Sequence, residues 1–392
     1  MYEPEPETPP PPAGRLARRP AAGGLPFRSA APGQVTALRG VLDAAAPAGR
    51  PGHFLVLTHR NPDPDALGAL IGMRLLLTEG FGHEAQVATV GAIHRAENLA
   101  MVRELGIAID DYSELDLSRF HGCLLVDSQP SFGHTVVPPG LPMLAVFDHH
   151  HAPEPGEPEG PDGPDEPRGE AAAVPHLDVR EDVGATSSIV YEYLSEAGVE
   201  LDERTATALF CGVRYDTGDL SYGVSPADET AWYETFRRAD RGQVARIARP
   251  ALPAEYYREL SRSLTLARRH GTLVLCLLGE VVNPESVAEM ADFFLRLDGC
   301  AWSLVGGAFD GTYFVSLRTQ LQGGYAYPLL ERVLDGRGSF GGHGRVAGGR
   351  VPLEGGEVEI HRLESRLRAQ ALKILANARR REGSTPLGLP LS

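Results

Sequence analysis

Lysine is almost missing from this 392-residue chain: Lys373 is the only one, and arginine supplies the other basic residues. No function attaches to that bias. Cysteine is scarce as well. Cys123, Cys211, Cys276 and Cys300 stand far apart in apolar stretches, with no CxxC spacing. That excludes a disulfide framework and thiolate zinc sites, and predicts buried free thiols. Long apolar runs are absent: nothing approaches the roughly 18 residues a membrane helix needs. The N-terminus offers Glu3, Glu5, Glu7 and a proline run where a secretory signal would be basic and then apolar, so a cytoplasmic location is expected. Positive charge is also short. A net charge of −15 argues against a long nucleic-acid groove, which needs a basic stripe. Residues 152–182, however, hold ten acidic and two basic residues, more than half of that excess. The rest of the chain is closer to neutral, and a small phosphate pocket stays compatible with it.

What the chain does contain is an alternation. Residues 1–33, rich in Pro, Gly, Ala and Arg, read as a disordered tail. A helix is expected from Gln34. Short apolar runs at His53–His59, Ala85–Val90, Cys123–Val126 and Met143–Phe147 then read as buried strands separated by helical segments. This predicts an α/β fold with an N-terminal parallel sheet flanked by helices, whose ligands bind beyond the strands' carboxyl ends. Residues 152–175 read as a solvated acidic, Pro-rich loop. A helical connector is expected over 241–268. A smaller α/β domain with a mixed sheet follows over 269–376, its strands near 272–278, 302–309 and 313–317, with a glycine-rich loop at 336–349. Residues 377–392 read as a tail, and 34–240 form the first domain.

Several acidic residues and histidines sit at element ends. Thr-His-Arg-Asn-Pro-Asp-Pro-Asp-Ala-Leu-Gly at 58–68 feeds a strand through a turn stiffened by Pro62 and Pro64 into a helix, presenting His59, Asp63 and Asp65. Asp127 follows one apolar run directly, and Asp148-His149-His150-His151 follows the next. Tyr215-Asp216-Thr217-Gly218-Asp219 ends a helix. Singly, each has a bland reading: Asp65 would serve as a helix N-cap, and a strand-end Asp usually starts a loop. Four such sites in one alternating pattern are hard to explain as caps alone. Carboxylates with imidazoles suit hard or borderline divalent metals, manganese among them. A pair of such ions about 3.5–4 Å apart would activate a water and stabilise charge on a phosphoryl group.

In this order the motifs resemble those of DHH-family phosphoesterases. The likeness continues with Val315-Ser316-Leu317-Arg318 and Gly341-Gly342-His343-Gly344-Arg345-Val346-Ala347-Gly348, which are similar to the Ser-Leu-Arg strand and Gly-Gly-His loop of the DHH-associated C-terminal domain. It covers roughly residues 35–370. The resemblance implies that His59 and Asp63 hold one metal, that Asp65, His149 and Asp216 hold the other, and that Asp127 bridges them. It implies two manganese ions, with magnesium or cobalt as alternatives. Asp148 would orient a neighbouring histidine. His150 would contact phosphate or act as an acid, and with Asp127 it makes up the catalytic set. Arg318, Gly341, Gly342 and His343 would bind the substrate's phosphate or nucleotide. Scattered His53, His83, His94, His121 and His134 are expected to be structural.

Three departures bear on substrate preference. Asp127 is followed by Ser-Gln-Pro-Ser-Phe, whereas many relatives have an arginine soon after. Val346 stands at an alanine position, and an insertion follows the Asp-His-His triplet. The short chain without a basic channel looks most like the nanoRNase group, implying hydrolysis of short RNA, pApA, cyclic di-AMP or pAp (3′-phosphoadenosine 5′-phosphate). The alternatives are a RecJ-like single-strand exonuclease and a catalytically silent nucleotide-binding regulator. An inorganic pyrophosphatase shares the first-domain motifs, but the Gly-Gly-His loop counts against it. No membrane partner is expected, and the oligomeric state is left open, with a homodimer among the options.

Overall fold

The computed structural model describes residues 33–132, 135–150, 174–321, 326–343, 345–380 and 388–390. The tail expected over 1–33 and the acidic loop expected over 152–175 therefore lie almost wholly outside the described residues, as do His134 and His151. The first half runs α1 (Gln34–Ala45), β1 (His53–Leu57), α2 (Pro64–Leu75), β2 (Glu84–Thr89), α3 (Ala96–Glu104), β3 (Asp110–Asp111), β4 (Gly122–Val126), β5 (Met143–Asp148), β6 (His176–Val179), α4 (Thr186–Glu196), α5 (Glu203–Asp216) and α6 (Pro226–Phe236). Its six strands form one parallel sheet in the order β3-β2-β1-β4-β5-β6.

That order has a consequence for the site. From β1 the chain steps outward through β2 and β3, then returns to the other side of β1 with β4 and steps outward again. The reversal between β1 and β4 leaves a crevice at their carboxyl ends, where ligands collect in sheets of this type. β4 is buried along its whole length and β1 along all but its first residue. Both sheet faces are covered, which explains the continuous apolar runs. α2 is buried from Pro64 through Met73 and packs against α4 and α5. Truncating a residue such as Leu70, fully buried in that core, would cost about 2–5 kcal/mol.

Helices α7 (Arg241–Ala248) and α8 (Ala254–Leu266) lead into the second half. This comprises β7 (Arg268–His270), β8 (Leu273–Glu280), α9 (Glu285–Leu295), β9 (Trp302–Phe309), β10 (Thr312–Thr319), α10 (Ala326–Leu334), β11 (Ser339–His343), β12 (Val346–Pro352), α11 (Glu357–Arg380) and β13 (Gly388–Pro390). The sheet order is β11-β12-β10-β9-β8-β7-β13, mixed, with β8 and β9 parallel and the other pairs antiparallel. One apolar cluster joins the sheet to α10 and α11, and a second joins it to α8 and α9. The fold is thus α/β with a parallel N-terminal sheet, a helical connection and a mixed C-terminal sheet.

Two expectations fail here. Residues 336–349 are not simply a loop. Most belong to the hairpin β11–β12, with Gly341 opposite Gly348 and Gly342 opposite Ala347. The glycines sit within a ladder, where side-chain-free positions imitate turn punctuation in sequence. The span 377–392 likewise contains the last residues of α11 and the short β13. All four cysteines are free and buried. Among the described residues no helix is long and apolar enough to cross a membrane.

Candidate metal centre

The turn after β1 brings three side chains to the crevice. Asn61 takes a left-handed backbone (φ 52°), which asparagine tolerates better than most residues. Asp63, not Asp65, caps α2: its Oδ1 accepts from the amides of Asp65 (2.9 Å) and Ala66 (3.0 Å). Asp65 lies in the first turn, fully buried. Its Oδ2 accepts from the Thr186 amide at 2.6 Å and its Oδ1 from the Ser187 amide at 2.8 Å, both at the start of α4. Gly212 allows this approach, because a Cβ there would lie 2.8 Å from Asp65 Oδ1. Asp127 closes β4 with a left-handed backbone (φ 54°), a costly conformation for a non-glycine residue. The Thr186 hydroxyl donates to its Oδ1 at 2.9 Å.

From β5 come Asp148, His149 and His150. Asp148 is fully buried, and its Oδ1 stands 2.8 Å from His150 Nδ1. Asp148 thus contacts the ring of His150 directly. Asp216 ends α5 and faces His149, with Oδ2 at 3.0 Å from Nε2.

The six motif residues converge in two sets. The donor atoms of His59, Asp63 and Asp127 lie within 4.8 Å of one another, as do those of Asp65, His149 and Asp216. Asp127 links the sets: its Oδ2 is 3.5 Å from His59 Nε2, and its Oδ1 is 3.7 Å from His149 Nε2. His150 Nδ1 lies 3.8 Å from Asp127 Oδ1, and Asp127, His149 and His150 form a third such group.

Electrostatically this arrangement is under-compensated. Burial, then the carboxylates of Asp216 and Asp127, push Asp63 up to about 7. Burial and the same two neighbours hold Asp65 well above the usual carboxylate range. Burial alone would lower His59 and His149. Asp127 reverses this and lifts His59 to about 9, while Asp216 and Asp127 lift His149 to about 11. His150 is raised, against its burial, by Asp148 and Asp127. Asp127 is driven down, despite its own burial, by the three imidazoles around it. Among the described residues no arginine or lysine pairs with Asp63, Asp65, Asp127 or Asp216. Buried His149 Nε2 sits between Asp127 and Asp216 without a properly directed hydrogen bond. Oxygen and imidazole donors crowded this way fit divalent cations, which supply the missing positive charge.

Sequence reasoning missed the supports. Gln129 Nε2 donates to Asp148 Oδ2 (2.7 Å) and to the His150 carbonyl (2.9 Å), tying down the Asp-His-His segment. Thr186 and Ser187 hold the carboxylates. In the second half Arg318, on β10, donates from Nε to Asp292 Oδ1 of α9 at 2.7 Å. Asp292 Oδ2 lies 3.7 Å from Arg95 Nη2, and Arg95 Nη1 donates to the Tyr215 hydroxyl beside Asp216 (2.7 Å). Asn61 Nδ2 donates to Glu285 Oε1 at 2.9 Å. The metal-motif turn and α9 are therefore in direct contact. Gly341 and Gly342 lie in β11, which ends at His343. Gly342 (φ 146°) admits no side chain, since a Cβ would lie 2.2 Å from the Val346 carbonyl oxygen. Asp219, also left-handed, pairs with Arg214.

No protein-family model matches the chain. An uncharacterized protein of Methanocaldococcus jannaschii is 28% identical over 301 residues, 76% of this chain and 58% of that protein. A probable manganese-dependent inorganic pyrophosphatase of Streptococcus suis is 27% identical over 165 residues, 42% of this chain and 48% of that protein. The chain thus spans about half the length of the curated relatives it matches. Among solved structures, an exopolyphosphatase-related protein from Bacteroides fragilis superposes on 87% of this chain and 97% of its own, with a TM-score of 0.65 at 14% identity. That likeness is one of fold, over both halves of the chain.

Proposed function

We propose that this chain is a divalent-metal phosphoesterase that hydrolyses short oligonucleotides or small nucleotides, in the manner of the nanoRNase group. One observation carries the reading: four carboxylates, Asp127 among them, and two imidazoles gather at the sheet's reversal point, with no arginine among the described residues paired to those carboxylates. The manganese dependence of the Streptococcus relative's name supports the same choice of metal.

His59 and Asp63 would hold one cation, Asp65, His149 and Asp216 the other, and Asp127 both. Two such cations supply charge neutralisation at phosphorus and a water activated for attack. The remaining work belongs to the chain. Asp63 and Asp65 are fixed by backbone amides, and Asp127 by Thr186, so the donors need no reorganisation on binding. His150, held through Nδ1 by Asp148, would contact a phosphate oxygen or protonate the leaving group. Arg318, 13% exposed, would exchange its bond to Asp292 for the substrate's terminal phosphate. Gly341 and Gly342 would let backbone amides approach, with His343 beside them.

The test is one panel of purified, manganese-loaded protein against pApA, cyclic di-AMP, pAp, single-stranded DNA and pyrophosphate. Preferred turnover of pApA or pAp supports the reading. Preference for long single-stranded DNA would favour the exonuclease alternative, and no turnover of any member, with metal bound, would favour a silent regulator. Asp127→Ala should leave below about one-thousandth of the activity, roughly 4 kcal/mol of barrier.

A further inference from the structure

Directly after Asp216 the chain does something expensive. Gly218, Asp219 and Leu220 are all left-handed, with φ of 53°, 55° and 62°. For Asp219 and Leu220 that conformation is disfavoured, and its persistence asks for a reason. Its result is the position of Tyr222. The Tyr222 ring packs closely against Gly218, where a Cβ would come within 2.2 Å of Cε1. Yet 53% of the residue remains exposed. The guanidinium of Arg345, from the β11–β12 hairpin, stands 5.9 Å from the ring centroid. The four other arginine–aromatic contacts among the described residues are tighter, from 4.7 to 5.6 Å.

The place of this ring matters as much as its exposure. Burial first, then the carboxylates of Asp216 and Asp292, raise the Tyr222 phenol, while Arg345 opposes them. The ring is seated on Gly218, two residues beyond Asp216 of the metal centre, and its arginine neighbour comes from the hairpin that carries Gly341 and Gly342. A molecule whose phosphate lies at Asp216 would carry its next group toward the ring.

We infer that Tyr222, with Arg345 as its cationic neighbour, is a stacking seat for a nucleobase, so the preferred substrate bears a base beside the scissile phosphate and is not a bare polyphosphate. A flat, half-exposed aromatic with an arginine alongside is the chemistry that holds unpaired bases, and neither group would add to the recognition of inorganic phosphates beyond simple charge. This deepens the phosphoesterase reading and rests on it for the position of the phosphate.

The experiment measures binding, so its failure is distinguishable from failure of the activity panel. Manganese-loaded protein is titrated with 2-aminopurine riboside 5′-monophosphate, followed by quenching of the base fluorescence, and with ribose 5-phosphate as the baseless competitor. Wild type should quench the probe and prefer it to ribose 5-phosphate. Tyr222→Ala should weaken the base-bearing ligand about 5- to 150-fold more than the baseless one, and Tyr222→Phe should stay near wild type. Tyr222→Leu, which keeps bulk over Gly218 without a π face, should behave as the alanine variant does. Equal weakening of both ligands, a leucine variant that binds like wild type, or a wild type indifferent to the base would overturn the inference.

Discussion

Chelation should make the folded protein unusually sensitive to rising pH, and the size of the effect follows from the site. Folded Asp63 sits at about 7 against an ordinary 3.8. Between those values the folded state keeps a proton that the unfolded chain has released, so stability falls as pH climbs from about 4 to 7. Roughly three pH units at 1.36 kcal/mol each set a ceiling of about 4 kcal/mol. Asp65 acts in the same direction. His59 and His149, raised from 6.5 to about 9 and about 11, give stability that is complete below 6.5 and is lost as pH rises through those folded values. Asp127, held low, contributes above 3.8 and loses that only in strong acid, outside the window. Cations reverse the trend, because ligation favours the deprotonated carboxylates and neutral imidazoles. Thermal unfolding at pH 5, 6, 7 and 8, with chelator and with saturating manganese, reads this directly. The gap in melting temperature should widen by about 5–15 °C from pH 5 to pH 8. A gap that stays constant or narrows would refute the charge argument.

Three further variants carry expected outcomes. Thr186→Val removes the hydroxyl donor of buried Asp127, and should cost about 1–3 kcal/mol in chemical denaturation. It should also weaken manganese about 10- to 100-fold in calorimetry. Gly342→Ala forces a Cβ onto the Val346 carbonyl. It should destabilise the second half by about 2 kcal/mol or more in urea melts and raise KM while leaving metal affinity intact. Arg318→Ala should raise KM more than it lowers kcat in steady-state assays, since its guanidinium bonds Asp292 and none of the metal-centre carboxylates, and its proposed partner is the substrate's phosphate.

The fold was largely legible because the buried strands of the first sheet are short apolar runs, of which β4 and β5 stop at Asp127 and Asp148 and β1 stops just short of His59. β1, β4 and β5 gave themselves away, and with them the crevice where His59, Asp127 and His149 meet. β3 and β6 did not, being two and four residues long at the sheet's edges with little apolar content. The β11–β12 hairpin was hidden by its own glycines. Nor could sequence single out Gln129, Thr186, Asp292 or Tyr222. A glutamine, threonine or aspartate that steadies another side chain looks like any solvated polar residue until the partner 19 to 59 positions away is in place. The cap of α2 shows the same limit on a local scale. Asp63 and Asp65 are both suitable by type, and only the buried contact of Asp65 with α4 decides between them.

The most direct measurement is a crystal structure of the protein grown with manganese and recorded at its absorption edge. Two anomalous peaks about 3.5–4 Å apart on either side of the Asp127 carboxylate are expected. A single peak, or peaks away from Asp127, would contradict the account.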